Sequence, residues 1–394
     1  MKKAKESNQK FLPFAFLLFV KYGDINKLNI AVGGHCPPKL CNPCLEPMVG
    51  IAHPTFNLFH LLMSRSNFHP FSRLINNWIA YFFIVLTIAV TLLSLAGYLG
   101  KFNLYLELTA NFKLQYFLIG LFPFIYFALT HRKIWWIVSL FCLLINLAEI
   151  VPWYIPQLGV SSPSPGKSVS MRLFLSNVLF SNTRYADVIS LVRKEKPTIA
   201  AFLEATPPWP DKLDELRDIL PYHLSAKNLE IEVYSSLPLE NSSIQLYGKK
   251  RGLIISELTL EGKAVSMIVT HSYPALGFGQ QGFDWRNKHL EEGIGNYVGQ
   301  LKRTVIVIGD LNVVMWSPYY RSMIQDSGLR NARAGFGILP TLSLFVPVKP
   351  WLAIPVDHCL VSPDIRVVNM RVGSDVGSDH LPVITDVLVP ASPR

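Results

Sequence analysis

The sequence is poor in charge and in cysteine. Only 16% of the 394 residues are charged, 50% are hydrophobic, and Cys359 is the only one of five cysteines that lies beyond residue 150. A disulfide framework in the second half is therefore excluded, because a single cysteine has no partner there. Cys36, Cys41 and Cys44 are spaced loosely like metal ligands, but no matching second pair follows, and zinc is not predicted.

Charged residues are also missing from three long apolar runs. Trp78 to Leu99 and Leu114 to Thr130 contain none, and Ile134 to Ile155 contains only Glu149. Each run is about long enough to cross a hydrocarbon core, which takes roughly 17 to 25 residues. Because buried helices of soluble proteins usually keep a polar stripe, the runs predict three transmembrane helices within a membrane region, residues 63–156.

The segment before this region, residues 1–62, has no sustained periodicity, and we expect a poorly ordered N-terminal extension. Its run at 11–20 follows a basic start like the apolar part of a signal peptide, but no small-residue cleavage site follows. Met63 opens a basic lead-in to the first apolar run, so Met63 is an alternative start of translation to Met1.

Positive charge beside the runs predicts a topology. Short cytoplasmic loops collect Lys and Arg. Arg65 and Arg73 precede the first run, and residues 131–133, His-Arg-Lys, join the second to the third, whereas the connection 100–113 balances its two lysines with Glu107. We therefore expect a multi-pass protein of a bacterial inner or plasma membrane, with everything after residue 156 on the extracytoplasmic side.

A Pro-, Ser- and Gly-rich linker, residues 157–167, precedes a second domain at 168–390. Short apolar runs such as "TIAAFLEAT" and "TVIVIGDLN" predict strands, and "RYADVISLVRKEK" predicts an amphipathic helix. Strands outnumber helices, which favours an α+β domain with packed sheets and outer helices. The net charge of +10 could serve binding to nucleic acid or to anionic lipid, or could belong to the flanks of membrane helices. The sequence does not decide between these, because the basic residues are scattered apart from residues 248–252, "GKKRG".

Polar side chains occur at six predicted strand ends. They are Asn177, Glu204, His271, the pair Asp310 and Asn312, Asp357, and the pair Asp379 and His380. Each would need a partner beside an apolar strand. Convergence on one site accounts for them together.

These residues, in this order, resemble the endonuclease/exonuclease/phosphatase superfamily of DNase I-like phosphoesterases. The resemblance covers about 168–390 and rests on "SNVLFSN", "KPTIAAFLEA", "THSYP", "GDLNVVMWSP" and "SDHLPV". With the preceding spans, the chain is similar to a membrane-anchored bacterial subgroup. It departs from the family at Thr198 and Leu203, where Asp and Gln are common. The resemblance implies a four-layer α/β/β/α sandwich after the three transmembrane helices.

The resemblance also implies roles at the site. Glu204 and Asp379 would hold Mg²⁺, or alternatively Mn²⁺, which prefer oxygen ligands. Asp310 would activate the attacking water. Asn177 and Asn312 would donate to phosphate oxygens, and His380 would contact the phosphate, with Asp357 fixing its tautomer. His271 would be a second imidazole near the phosphate.

The expected function is that of a membrane-anchored, metal-dependent phosphoesterase, tethered to the bilayer by its three spans. Its substrate is left open between a lipid head group, nucleic acid and a small phosphodiester. The alternatives are an extracytoplasmic nuclease that degrades DNA and a non-catalytic membrane sensor that binds a ligand. No obligate protein partner is indicated. The role of Arg286, in "DWRNKHL", is also open, because it could reach a phosphate or lie on a solvated helix face.

Overall fold

A computed structural model describes residues 69–156, 168–248, 250–301, 303–343 and 348–391. The predicted extension 1–62, its run at 11–20, Met63 and the linker 157–167 lie outside these described residues. The described residues form one compact unit.

Three long helices form a bundle. The helical elements before residue 156 are α1 (His69–Ala96), which continues as a 3₁₀ turn (Gly97–Leu99), α2 (Leu104–Leu108), a 3₁₀ turn (Thr109–Phe112), α3 (Lys113–Leu129), α4 (Lys133–Ile150) and a last 3₁₀ turn (Val151–Trp153). Asn76–Leu99, Leu104–Leu129 and Lys133–Trp153 are long and apolar enough to cross a membrane, which confirms the prediction of three such helices. The predicted loop 100–113 is wrong in part, because Asn103 caps α2 by accepting a hydrogen bond from the Tyr105 amide.

Small and polar residues hold the bundle together. Ser94 accepts a hydrogen bond from Asn146 on α4 at 2.9 Å, and its carbonyl accepts one from Lys113 on α3 at 2.6 Å. At the other end, Tyr126 of α3 donates to Asn76 of α1. These contacts make α3 antiparallel to α1 and α4, so the turn 131–133 lies at the end of the bundle opposite to residues 97–113 and 149–156.

Among the described residues, twelve strands form two six-stranded sheets. The strands are β1 (Ser168–Asn177), β2 (Ile199–Leu203), β3 (Tyr222–Ala226), β4 (Ile231–Ser235), β5 (Glu240–Leu246), β6 (Gly252–Leu260), β7 (Lys263–His271), β8 (Thr304–Asp310), β9 (Arg330–Asn331), β10 (Asp357–Val361), β11 (Arg366–Val372) and β12 (Val383–Pro390). The first sheet has the order β11-β12-β1-β2-β4-β3 and the second β5-β6-β7-β8-β10-β9, and of these strand pairs only β1–β2 and β7–β8 are parallel.

A continuous apolar core, including Leu173, Val233, Val269 and Ile308, lies between the two sheets. The first sheet is covered outside by α5 (Tyr185–Glu195) and α6 (Trp209–Leu213). The second is covered by a π-helical segment (His289–Asn296), α8 (Tyr297–Gln300) and α9 (Pro318–Ser327). The π-helical segment continues α7 (Gly279–Lys288), whose Phe283 packs with Leu104 of the bundle. Two mixed sheets with outer helices confirm the predicted α+β fold.

The bundle packs against the helical side of the second sheet. Ala110 and Ile150 belong to the same buried apolar cluster as Leu311 and Trp316. The Trp316 indole donates to the Glu149 carbonyl at 2.9 Å, and Gly335 and Gly337 donate their amides to the Trp153 carbonyl. All of these contacts are made at the end of the bundle opposite the turn 131–133.

Candidate active site

All the predicted site residues lie at one edge of the paired sheets. Asn177, His271 and Asp310 end β1, β7 and β8, and Glu204 directly follows β2. Asp357 begins β10, which runs antiparallel to β8, so it too reaches this edge. In the second sheet His271 is in register with Asp310, and Asp310 with Asp357. Asp379 and His380 precede β12, whose first residue pairs near the end of β1.

Asp310 lies at the centre of the site. Its Oδ1 accepts the Asn312 amide at 2.8 Å, and its Oδ2 lies 3.3 Å from the Asn177 side-chain amide. The same Asn177 nitrogen donates to Glu204 Oε1 at 3.1 Å. Since Asn177 belongs to the first sheet and Asp310 to the second, this amide joins the two halves of the site.

The acid and imidazole of Asp357 and His380 form a close pair. His380 Nδ1 lies 2.7 Å from Asp357 Oδ2, and both side chains are buried. The other ring nitrogen, Nε2, lies 3.8 Å from Asp310 Oδ2. Desolvation by itself would lower the pKa of His380, but Asp357 and Asp310 outweigh it and raise this pKa to about 10. The two neighbouring acids therefore favour the protonated form of His380, and its Nε2 lies on the Asp310 side of the site.

His271 provides a second, uncharged imidazole. Its Nε2 lies 3.6 Å from Asp310 Oδ2 and 3.9 Å from Glu204 Oε1, and its buried Nδ1 has no partner among the described residues. Burial, with nearby Arg251 and His380, holds the pKa of His271 well below its ordinary value.

The same surroundings shift the pKa of Asp310, the candidate general base. Burial, followed by the charge of Asp357, raises the pKa of Asp310 to about 7, while His380 opposes the rise. A carboxylate whose pKa lies near neutrality can accept a proton from water at the pH where it works.

Two site residues adopt left-handed backbone conformations. Glu204 has φ +57° and Asn312 has φ +50°. This region is uncommon for residues other than glycine, and for Glu more so than for Asn. The conformation at Asn312 lets its side chain donate to the Ser272 carbonyl at 3.0 Å while its amide reaches Asp310.

The carboxylates fit a hard divalent cation. Four acids, Glu204, Asp310, Asp357 and Asp379, share the edge with two imidazoles, one of them neutral. Glu204 and Asp379 are only partly buried, and among the described contacts neither is neutralised by Lys or Arg. Excess carboxylate oxygen at an accessible edge is the donor chemistry that Mg²⁺ prefers.

The tightest cluster of possible ligands is a different one. Ligand atoms of Asp310, Asp357 and His380 lie within 4.8 Å of one another. Within it, His380 Nδ1 and Asp357 Oδ2 are already in short contact, at 2.7 Å. Asp310, Asp357 and His380 are thus a possible cation site as well as a set of groups that can exchange protons.

Two serines support the site without having been singled out in the sequence. Ser378 donates to the Asn177 carbonyl at 2.8 Å and accepts the His380 amide at 3.0 Å. Ser272 donates to the Leu311 carbonyl and accepts Asn312 through its own carbonyl. Both directly neighbour a predicted residue, in "GSDH" and "THS", and that adjacency was the available signal.

Arg286 corrects the sequence interpretation. It lies neither on a solvated face nor free to reach a phosphate, because it is 1% exposed. One guanidinium nitrogen forms an ion pair with the buried Glu107 of α2 at 2.7 Å, and another donates to the Asn312 carbonyl at 3.1 Å. Ser317 also donates to Glu107, at 2.6 Å. A residue of the bundle thus connects through one arginine to the backbone of the site.

The fold is a pair of packed sheets with acids and imidazoles gathered at one edge. The model of the Endonuclease/Exonuclease/phosphatase family matches residues 175–380, more than half of the chain, and the protein belongs to that family. The predicted family is therefore confirmed. A search of curated proteins gave no match.

Several solved structures are similar over the same region. An endonuclease/exonuclease/phosphatase family protein from Bacteroides thetaiotaomicron is 15% identical, covering 57% of this chain and 99% of its own, with a TM-score of 0.47. D. rerio TDP2 complexed with single strand DNA product is 15% identical over 55% and 98%, with a TM-score of 0.46. Sphingomyelinase C from Streptomyces griseocarneus is 17% identical over 57% and 100%, with a TM-score of 0.43.

Proposed function

We propose that the protein is a membrane-anchored, metal-dependent hydrolase of phosphate esters. The observation that supports it most is the set of contacts around Asp310: a buried carboxylate with raised pKa, held by Asn177 and Asn312, beside an imidazolium oriented by Asp357. In this proposal Asp310 takes a proton from the attacking water. His380 and the Asn177 amide stabilise negative charge on the phosphoryl oxygens.

Glu204 and Asp379 would hold Mg²⁺ or Mn²⁺, which when bound supplies Lewis-acid stabilisation of the phosphate. Asp357 keeps Nδ1 of His380 protonated and thereby directs Nε2 toward the reacting group. Neutral His271 adds a hydrogen-bonding group without adding charge. A sensor that only binds a ligand has no need of this proton-transfer set, which argues against the non-catalytic alternative.

The membrane attachment is proposed from the three apolar helices and the charges beside them. The basic turn 131–133 lies at the end of the bundle opposite the contacts with the family domain. If Lys and Arg mark the cytoplasmic end, the site lies on the extracytoplasmic side. Alkaline phosphatase fused after residue 165 should be active, and an inactive fusion with an active cytoplasmic reporter at the same joint would overturn this topology.

The activity is tested on the full chain purified in detergent. With Mg²⁺ it should hydrolyse bis(4-nitrophenyl) phosphate, and EDTA should abolish the activity until Mg²⁺ is restored. Asp310→Ala should lower the rate by about a hundredfold or more, as expected on removing a general base. Equal activity of wild type and Asp310→Ala, or activity that survives EDTA, would show that the assignment is wrong. Parallel assays with plasmid DNA and with phospholipid distinguish a nuclease from an enzyme that hydrolyses lipid phosphate esters.

A further inference from the structure

The two-sheet domain, residues 168–391, meets the helix bundle at the same edge that carries the site residues. In the loop after His271, Ala275 packs with Leu104 of α2 and with Phe283. In the loop after Asp310, the Asn312 carbonyl is held by Arg286, whose partner is Glu107 of α2.

A third site segment reaches the bundle as well. Leu342 forms backbone bridges with both His380 and Ile354. Three residues before Ile354, the Trp351 carbonyl accepts a hydrogen bond from Gln115 of α3 at 3.2 Å. Since three loops of the site touch the same end of the helices, the catalytic groups lie where the bundle would leave the hydrocarbon.

These same segments expose large apolar side chains. Leu276 is 67%, Phe278 54% and Trp351 63% exposed. Phe102 and Tyr105, beside Leu104 on the bundle, are exposed too. Phe278 is held in place by ring contacts with Tyr273 and Trp285, so its exposure is not that of an unsupported side chain. Exposed apolar groups on segments that meet the same end of the bundle indicate an interaction surface.

Basic groups accompany them. Lys250 and Arg251 both pair with Glu230, whose carbonyl accepts the amide of Ala205, the neighbour of Glu204. Lys250 is exposed, and Arg251 is close enough to lower the pKa of His271. Apolar side chains mixed with basic groups are the composition of a surface that lies on an anionic bilayer.

We propose that this edge lies on the bilayer surface and that the substrates are phospholipids of the leaflet at which the bundle ends. This rests on the proposed phosphoesterase function. Leu276, Phe278 and Trp351 would enter the interface, and the exposed Lys250 would attract lipid phosphate. Water adds its oxygen to phosphorus, the bond from phosphorus to one ester oxygen breaks, and the departing alcohol takes one proton of that water. The products are a phosphomonoester and an alcohol.

The test compares two substrates in the same detergent micelles: phosphatidylglycerol and bis(4-nitrophenyl) phosphate. Leu276→Ser with Phe278→Ser should lower the ratio of lipid rate to aryl-ester rate about tenfold. The matched control is Ile219→Ser with Val368→Ser, because these side chains are 37% and 50% exposed at the opposite end of the first sheet. The control should keep the wild-type ratio.

The outcomes separate the two proposals. Wild type that hydrolyses the aryl ester or plasmid DNA but not lipid overturns the lipid assignment alone, as does an unchanged ratio in the Leu276/Phe278 double variant. Wild type that hydrolyses none of them overturns the phosphoesterase function. A further readout needs no activity: benzoylphenylalanine at position 278 should photocrosslink to phospholipid in native membranes, whereas at position 368 it should not. Equal crosslinking at both positions would contradict the proposed orientation.

Discussion

The two sheets contribute different kinds of group to the site. The first sheet and its loops supply the buried Asn177 and His380 together with Glu204 and Asp379, acids that remain partly exposed; the Glu204 side chain is 21% exposed. The second supplies His271, Asp310 and Asp357, each about 1% exposed. The groups proposed to hold an exchangeable cation are therefore accessible to solvent, whereas the groups proposed to transfer protons are buried.

Their outer faces differ in the same way. The first sheet is covered by α5 and α6, and no described hydrogen bond or ion pair joins it to the bundle. The second sheet shares an apolar cluster with the bundle and is joined to it through Glu107 and Arg286. The buried Asp310 thus belongs to the sheet that is attached to the helix bundle. A change in the bundle should reach Asp310 before it reaches the acids proposed to hold metal.

Substitutions of Asp310 and of Glu204 should accordingly impair different properties of the enzyme. Asp310→Asn should reduce kcat by about 10²–10⁴ with little change in the Mg²⁺ concentration for half-maximal rate. Glu204→Gln should raise that concentration by about tenfold or more, because one ligand oxygen loses its charge. Mg²⁺ titrations of kcat for both variants measure this. An unchanged titration curve for Glu204→Gln would remove Glu204 from the metal site.

Sequence patterns found the buried parts of the fold and missed the exposed ones. Strands such as β8 and β2 are buried throughout, and their apolar runs were recognisable. β5, with the sequence "ENSSIQL", is almost entirely exposed at a sheet edge, and it gives no apolar signal. β3, β9 and β11 were missed as well, because two are edge strands in part exposed and β9 has only two residues.

The site residues followed the same logic. An acid or imidazole that directly follows an apolar strand, as Asp310 and His271 do, stands out in the sequence. Arg286 does not, because its partner Glu107 lies 179 positions away in the bundle. Only the packing of two regions predicted separately brings them together.

Breaking the connection to the bundle should be the largest effect on stability. Arg286→Ala leaves Glu107 buried without its cation, which costs about 3–5 kcal/mol. Arg321→Ala is the matched control, since its ion pair with Glu149 also joins bundle and domain but Arg321 is 45% exposed; about 0–1 kcal/mol is expected. Unfolding in detergent measures both. Similar losses for the two variants would refute a special role for the buried pair.

The variant Arg286→Lys distinguishes the contribution of Arg286 to stability from its role in positioning the Asn312 loop. It keeps a cation near Glu107 but loses the second nitrogen that holds the Asn312 carbonyl. We expect most of the stability lost in Arg286→Ala to return, while kcat stays below wild type and KM changes little. Full recovery of kcat together with stability would mean that Arg286 acts only through folding.

A pH-dependent effect on stability concerns the buried imidazoles beside the second sheet. His289 Nε2 lies 2.9 Å from the Thr270 hydroxyl, and burial, with Arg251, lowers the pKa of His289 to about 3. Burial likewise lowers the pKa of His358 to about 3. Below about pH 6.5 the unfolded chain binds protons that these folded imidazoles refuse, so stability is lost as the pH falls from about 6.5 toward 3. Each imidazole adds up to about 1.4 kcal/mol per pH unit to that loss.

His289→Gln should flatten the slope of unfolding free energy against pH by that amount, whereas His131→Gln, at an exposed imidazole, should leave the slope unchanged. Unfolding free energies in detergent between pH 7 and about pH 4 measure the slopes, and equal slopes for wild type and His289→Gln would show that His289 is protonated in the folded protein.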